Sequence, residues 1–221
     1  MNLDARKLRD EVFECEHCAG LNTFTRSPNN SRFYKFPPII GSSGEADILF
    51  IGINPRRSKS NFNLHDWLMA SPEAFAKLSA NQAKDGNPYI ALDGREEHYH
   101  CHMIVIKGVF GQGTKFEAKA AVTELMLCAS TNEPAVLSQM KSPCAALYLN
   151  RVIRTVNPQV VIAVGSGVLR HLQTHFHDAI HVPIVKMEHP RQLNGMDYFR
   201  KVEKLEPTIA SVRQILLKNV A

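Results

Sequence analysis

No run in this 221-residue chain is apolar for long enough to cross a membrane. The opening Met1-Asn2-Leu3-Asp4-Ala5-Arg6-Lys7 has no apolar core of the kind that directs export, so no export signal is expected. Neither an internal repeat nor a low-complexity tract occurs. Tryptophan occurs once, at Trp67, and cysteine only five times. In a chain expected to be cytosolic, five thiols do not amount to a disulfide framework. They are left as metal ligands, a nucleophile or buried fillers. The formal net charge of +5 permits binding to a phosphate backbone without requiring it.

What is present suits one globular domain over residues 1–221, with an apolar fraction of 44% to build its core. Residues 4–14 fit a short helix, and residues 19–45, rich in Asn, Ser, Pro and Gly, fit a loop. Ala46 to Gly52 is almost continuously apolar, as a strand buried on both faces should be. Val122–Leu127, Val160–Gly165 and Ile184–Met187 give three more strands of that kind. Leu147, Val152, Ile153 and Val156 line one helical face before Asn157-Pro158 stops it. Ser166 is placed to cap the next helix. Residues 199–219 close the chain as a helix or helix pair broken at Pro207. Strands alternating with helices predict an α/β fold, a three-layer αβα sandwich on a short, mostly parallel sheet. Ligands in such folds bind beyond the carboxyl ends of the strands. Asn54, Cys128 and His189 each follow a predicted strand. Residues 57–121 read as an insertion with a strand at 103–106, and His98, His100 and His102 as one polar face of a strand, with a second metal site as the rival reading.

Several segments, taken in order, resemble a known family. Cys15-Glu-His-Cys18 precedes Gly41-Ser-Ser-Gly44 and a strand that ends in Gly52-Ile53-Asn54-Pro55. Thr123-Glu-Leu-Met-Leu-Cys128 follows, then Cys144 with fifteen residues between the two thiols. Asn157-Pro158 to Gly165 and finally His189-Pro190 complete the set. This order is similar to that of the uracil-DNA glycosylase superfamily, nearest its iron–sulfur members. The first motif, Gly-Ile-Asn-Pro, is closer to the mismatch-specific and single-strand-selective branches, which place an asparagine at its third position. Arg56 stands where a glycine is usual, Arg191 where a small residue is usual, and Glu124 where the iron–sulfur members carry an asparagine that reads the pyrimidine edge. A carboxylate has no amide donor, which argues against plain uracil recognition.

The resemblance implies roles for particular residues. Cys15, Cys18, Cys128 and Cys144 would hold a [4Fe–4S] cluster; the spacing by itself also fits zinc, or buried thiols and no metal. Asn54 would accept a hydrogen bond from the attacking water, and His189 would donate one to the departing base. Gly52, Ile53, Pro55 and Glu124 would line the base pocket, with Phe62, or in its place Trp67, stacking on the base. The implied partner is DNA, with no membrane and no obligate protein partner. Leu193 would wedge into the duplex, unless it is packed on its own loop. Arg56, Arg57 and Arg191 would contact phosphates, unless they are merely solvated.

Overall fold

The computed structural model describes residues 3–17, 38, 45–53, 96–127 and 134–219. Four five- or four-residue strands form its centre: β1 (Ile48–Gly52), β2 (Ala120–Glu124), β3 (Val160–Val164) and β4 (Ile184–Met187). All pair in parallel, in the order β2-β1-β3-β4. The strands are apolar runs rather than alternating ones because both faces are covered. Ile48, Phe50, Val122, Val160 and Ile162 face one core, and Leu49, Ile51, Ala121, Val161 and Ala163 face the other.

Helices α1 (Leu3–Glu14), α3 (Pro134–Val156) and α4 (Ser166–His175) cover the second face, burying Leu8 and Val12, Leu149 and Val152, and Val168 and Leu172. Helices α2 (Glu96–Phe110) and α5 (Tyr198–Lys218) cover the first. Leu205, Ile209 and Val212 recur at helical spacing along α5 and make its apolar stripe. The expected three-layer α/β architecture is what the chain adopts.

Several local expectations are corrected. Residues 103–106 are the middle of α2, not a strand, and α2 is the described helix of the connection between β1 and β2. His100 and His102 are therefore helical neighbours: His100 is exposed and His102 is buried. β2 begins two residues early and ends three early. The apolar run Leu125–Leu127 lies beyond the strand yet stays buried, its first two amides donating to the carbonyls of Gly52 and Ile53 at 2.9 and 3.0 Å. Gly165, not Ser166, caps α4, with no side-chain cap bond. Pro207 does not break α5; it sits on the solvent face, where the carbonyl it leaves unbonded can meet water.

Candidate active site

β1 lies between β2 and β3. Helix α2, which precedes β2, covers one face of the sheet, and α4, which follows β3, covers the other. In parallel α/β sheets the binding crevice lies at the carboxyl ends of the strands. Gly52, Glu124, Gly165 and His189 all gather at this edge.

Gly52 and Glu124 are register partners on β1 and β2. Glu124 is 7% exposed, and its carboxylate lies over Gly52. A Cβ built on Gly52 would fall 2.0 Å from Glu124 Oε2, so a glycine is needed for the carboxylate to rest there. The next residue, Ile53, reaches across toward Gly167 at the start of α4, whose Cβ would lie 3.9 Å from Ile53 Cδ1. β1 thus delivers the chain into the crevice. Asn54, Pro55, Arg56, Arg57, Phe62 and Trp67 fall outside the described residues.

His189 follows β4. Gly165 faces it with φ of 90°, a left-handed conformation that favours glycine, and a Cβ there would sit 3.3 Å from His189 Cβ. The Gly165 amide donates to the Met187 carbonyl at 2.8 Å, tying the ends of β3 and β4 together. The Arg191 amide donates to His189 Nδ1 at 3.1 Å. With Nδ1 accepting, the neutral imidazole carries its proton on Nε2 and can donate from there. Pro190–Leu193 forms a 3₁₀ turn that holds this loop.

Arg191 is exposed beside His189. Leu193 is corrected: at 2% exposure it belongs to the core shared with α2 and α5, so the packed leucine is the arrangement observed and the wedge is not. Sequence reasoning missed His102. It stacks on Phe50 of β1 with ring centroids 4.4 Å apart, under the same edge. Burial first, then repulsion from His189 whenever that ring is protonated, push its pKa down to about 3, so it is neutral at physiological pH. Only its place among other histidines hinted at a role.

Two of the thiols, Cys15 and Cys144, lie away from this edge, on the α1–α3 side. Cys15 directly follows α1 and Cys144 lies within α3; both are half-buried and free of disulfides. The Tyr148 hydroxyl hydrogen-bonds Cys15. Burial first, then this bond and the neighbouring thiols of Cys15 and Cys144, push its pKa up. The Leu127 amide donates to Cys144 Sγ at 3.4 Å, which brings the backbone leading into Cys128 against that sulfur. An ion pair between Glu11 and Arg151 clamps the two helices nearby, and the guanidinium holds the Glu11 carboxyl below its usual range. Cys18 and Cys128 lie outside the described residues, and among the described residues no three metal-binding side chains come together.

The match to known families decides the ancestry. The family model for the uracil DNA glycosylase superfamily matches residues 38–209. The chain belongs to the uracil-DNA glycosylase superfamily. Its members act on DNA, and the matched span includes every strand of the sheet and both sides of the crevice. No curated protein matches the chain. Among the described residues, no helix is long and apolar enough to cross a membrane.

Proposed function

We propose that this superfamily member hydrolyses the N-glycosidic bond of a deaminated, damaged or mismatched base in DNA. The observation that carries it is His189 held at the crevice by Gly165 and by the Arg191 amide, with its donor proton on Nε2. Cleavage leaves a cationic sugar and an anionic base. A neutral imidazole donor aimed at the base oxygen stabilises that anion without needing a proton from solvent. Asn54, two residues beyond the end of β1, would orient the water. Its carbonyl is too weak a base to take the proton, so turnover is slow.

Glu124 adjusts which base fits. A carboxylate only accepts hydrogen bonds, and it repels carbonyl oxygens. Uracil and xanthine each present an N–H flanked by two carbonyls; hypoxanthine presents an N–H flanked by one carbonyl and a C–H. Hypoxanthine is therefore the favoured substrate among these, and Glu124→Gln moves preference toward uracil.

Cys15, Cys18, Cys128 and Cys144 would hold a [4Fe–4S] cluster. In support, the Tyr148 phenol hydrogen-bonds Cys15 and lies near Cys144, and Cys144 receives an amide hydrogen bond, an environment suited to thiolate ligands. The cluster would be structural, fastening α1 to the core. Cys15, Cys101 and Cys144 form no disulfide, which suits a reducing, cytoplasmic compartment.

The test is an oligonucleotide panel carrying uracil, hypoxanthine, xanthine or a mismatch, followed by alkaline cleavage. Strand scission that disappears in Asn54→Ala and His189→Ala is expected. No product from any lesion would leave a DNA-binding member without turnover, the alternative that the Glu124 carboxylate in the base pocket favours. Iron and sulfide analysis, with absorbance lost in Cys144→Ser, checks the cluster separately; zinc in its place would refute it.

A further inference from the structure

The largest exposed rings among the described residues lie beside the candidate site, at the start of α5. Phe199 is 83% exposed and Tyr198 is 45% exposed. They meet edge to face with centroids 5.9 Å apart, and exposed His100 of α2 stands 6.0 Å from Tyr198. A parallel strand delivers the chain at its carboxyl end, so α5, which follows β4, begins at the His189 edge. Its first turn is fixed there by Asp197, whose carboxylate accepts from the Arg200 amide at 2.9 Å. Exposed Arg191 and Arg200 bracket the rings along the chain.

We propose that His100, Tyr198 and Phe199 form a stacking platform for unpaired bases of a DNA strand running past the crevice, with Arg191 and Arg200 at its phosphates. A solvated phenylalanine contributes nothing to the core, whereas exposed rings flanked in the chain by arginines match a polymer of alternating aromatic bases and phosphates; Arg200 also lies 3.6 Å from Asp197 Oδ2, in a solvated ion pair that a phosphate can displace. With Leu193 buried, Tyr198 and Phe199 are the exposed large apolar groups among the described residues of this loop and the start of α5. The platform rests on the nucleic-acid reading of the edge but not on catalysis there. It is a binding surface with a preference for single-stranded or locally opened DNA.

The experiment is fluorescence anisotropy of the full chain with a labelled single-stranded oligothymidine and with a matched duplex. Tyr198→Ala/Phe199→Ala should weaken single-strand binding at least about tenfold, and Phe199→Trp should retain it. Leu217→Ala is the control: Leu217 is 72% exposed at the far end of the same helix, and its removal should change nothing. Arg191→Ala should reduce the slope of log affinity against log salt by about 0.7, as expected for one lost phosphate contact on a single strand. Because all four substituted side chains are exposed, melting temperatures should stay the same. Unchanged binding in the double variant, or equal losses in the double variant and Leu217→Ala, would overturn the platform. So would concentration-dependent self-association that vanishes with Phe199 while DNA binding persists, since the rings would then serve a second copy. Phe199-dependent binding without base excision from any lesion would keep the platform and refute the glycosylase.

Discussion

The two ends of the same four strands are built on opposite plans. At the amino end, Asp47 satisfies both carboxylate oxygens, one with Lys119 Nζ and the other with Gln159 Nε2, each at 2.8 Å. Its carbonyl also accepts from the Gln159 amide at 2.9 Å. A shallow polar cavity of about 360 Å3 lies there, walled by these same partnered groups. At the carboxyl end, a glycine yields its side-chain space to a carboxylate, a second glycine takes a left-handed conformation beneath a histidine, and another histidine is buried against a phenylalanine. The first end spends its polar groups on closing the sheet. The second accepts local cost to assemble chemistry, which is how functional sites commonly differ from the scaffold around them.

Substitutions should separate the two ends. His189→Ala should lower turnover on the preferred lesion by about 100- to 1000-fold, the usual cost of removing a donor to a developing anion, with little change in melting temperature. Asp47→Asn should leave turnover as it is; an equal loss there would erase the distinction. The buried histidine makes the carboxyl end sensitive to acid. The His102 pKa is lowered in the folded state, so the unfolded chain binds the extra proton. Its contribution is therefore complete above the unfolded pKa of 6.5 and is lost as pH falls toward about 3. Urea titrations at pH 7 and pH 5 should differ by about 2 kcal/mol from this group, and His102→Phe should remove that difference.

Smaller effects sharpen the contrast. Gly165→Ala should cost about 1–2 kcal/mol through its left-handed backbone, and the crowding at His189 should lower turnover further than stability alone explains. Gly52→Ala meets only the tip of a flexible side chain, so it should displace the Glu124 carboxylate and alter base preference, read from the lesion panel. Smallest of all, Asp47→Asn should cost at most about 1 kcal/mol in denaturant unfolding, because its ion pair with Lys119 is partly solvated.

The sheet was legible because strands buried on both faces must be apolar throughout, and Ile48–Phe50 and Val160–Val164 carry no competing helical pattern. His189 was legible from its place after a strand. Helix α2 was not: its histidines alternate like a strand face, and the burial of His102 against Phe50 depends on a partner about fifty residues away in the chain. Leu193 illustrates a second limit. A leucine in a loop has the same local sequence whether it points to solvent or to a core assembled from α2 and α5. The continuity of α5 through Pro207 depends on which side of the helix faces water, and that is set by packing rather than by proline itself. Gly165 was read as the last residue of a strand, and its closeness to His189, which comes from a separate strand, was not legible.

The sheet's order also bears on how the chain is made. Ile48–Gly52 pairs with Ala120–Glu124 on one side and with Val160–Val164 on the other, so both neighbours leave the ribosome long after it does. Throughout that interval of translation an uncharged apolar segment has neither flank covered, and such segments are where newborn chains stick to one another. Synthesis of this protein therefore has a vulnerable middle stage, in which a holding chaperone or a low rate of initiation matters more than the stability of the finished fold.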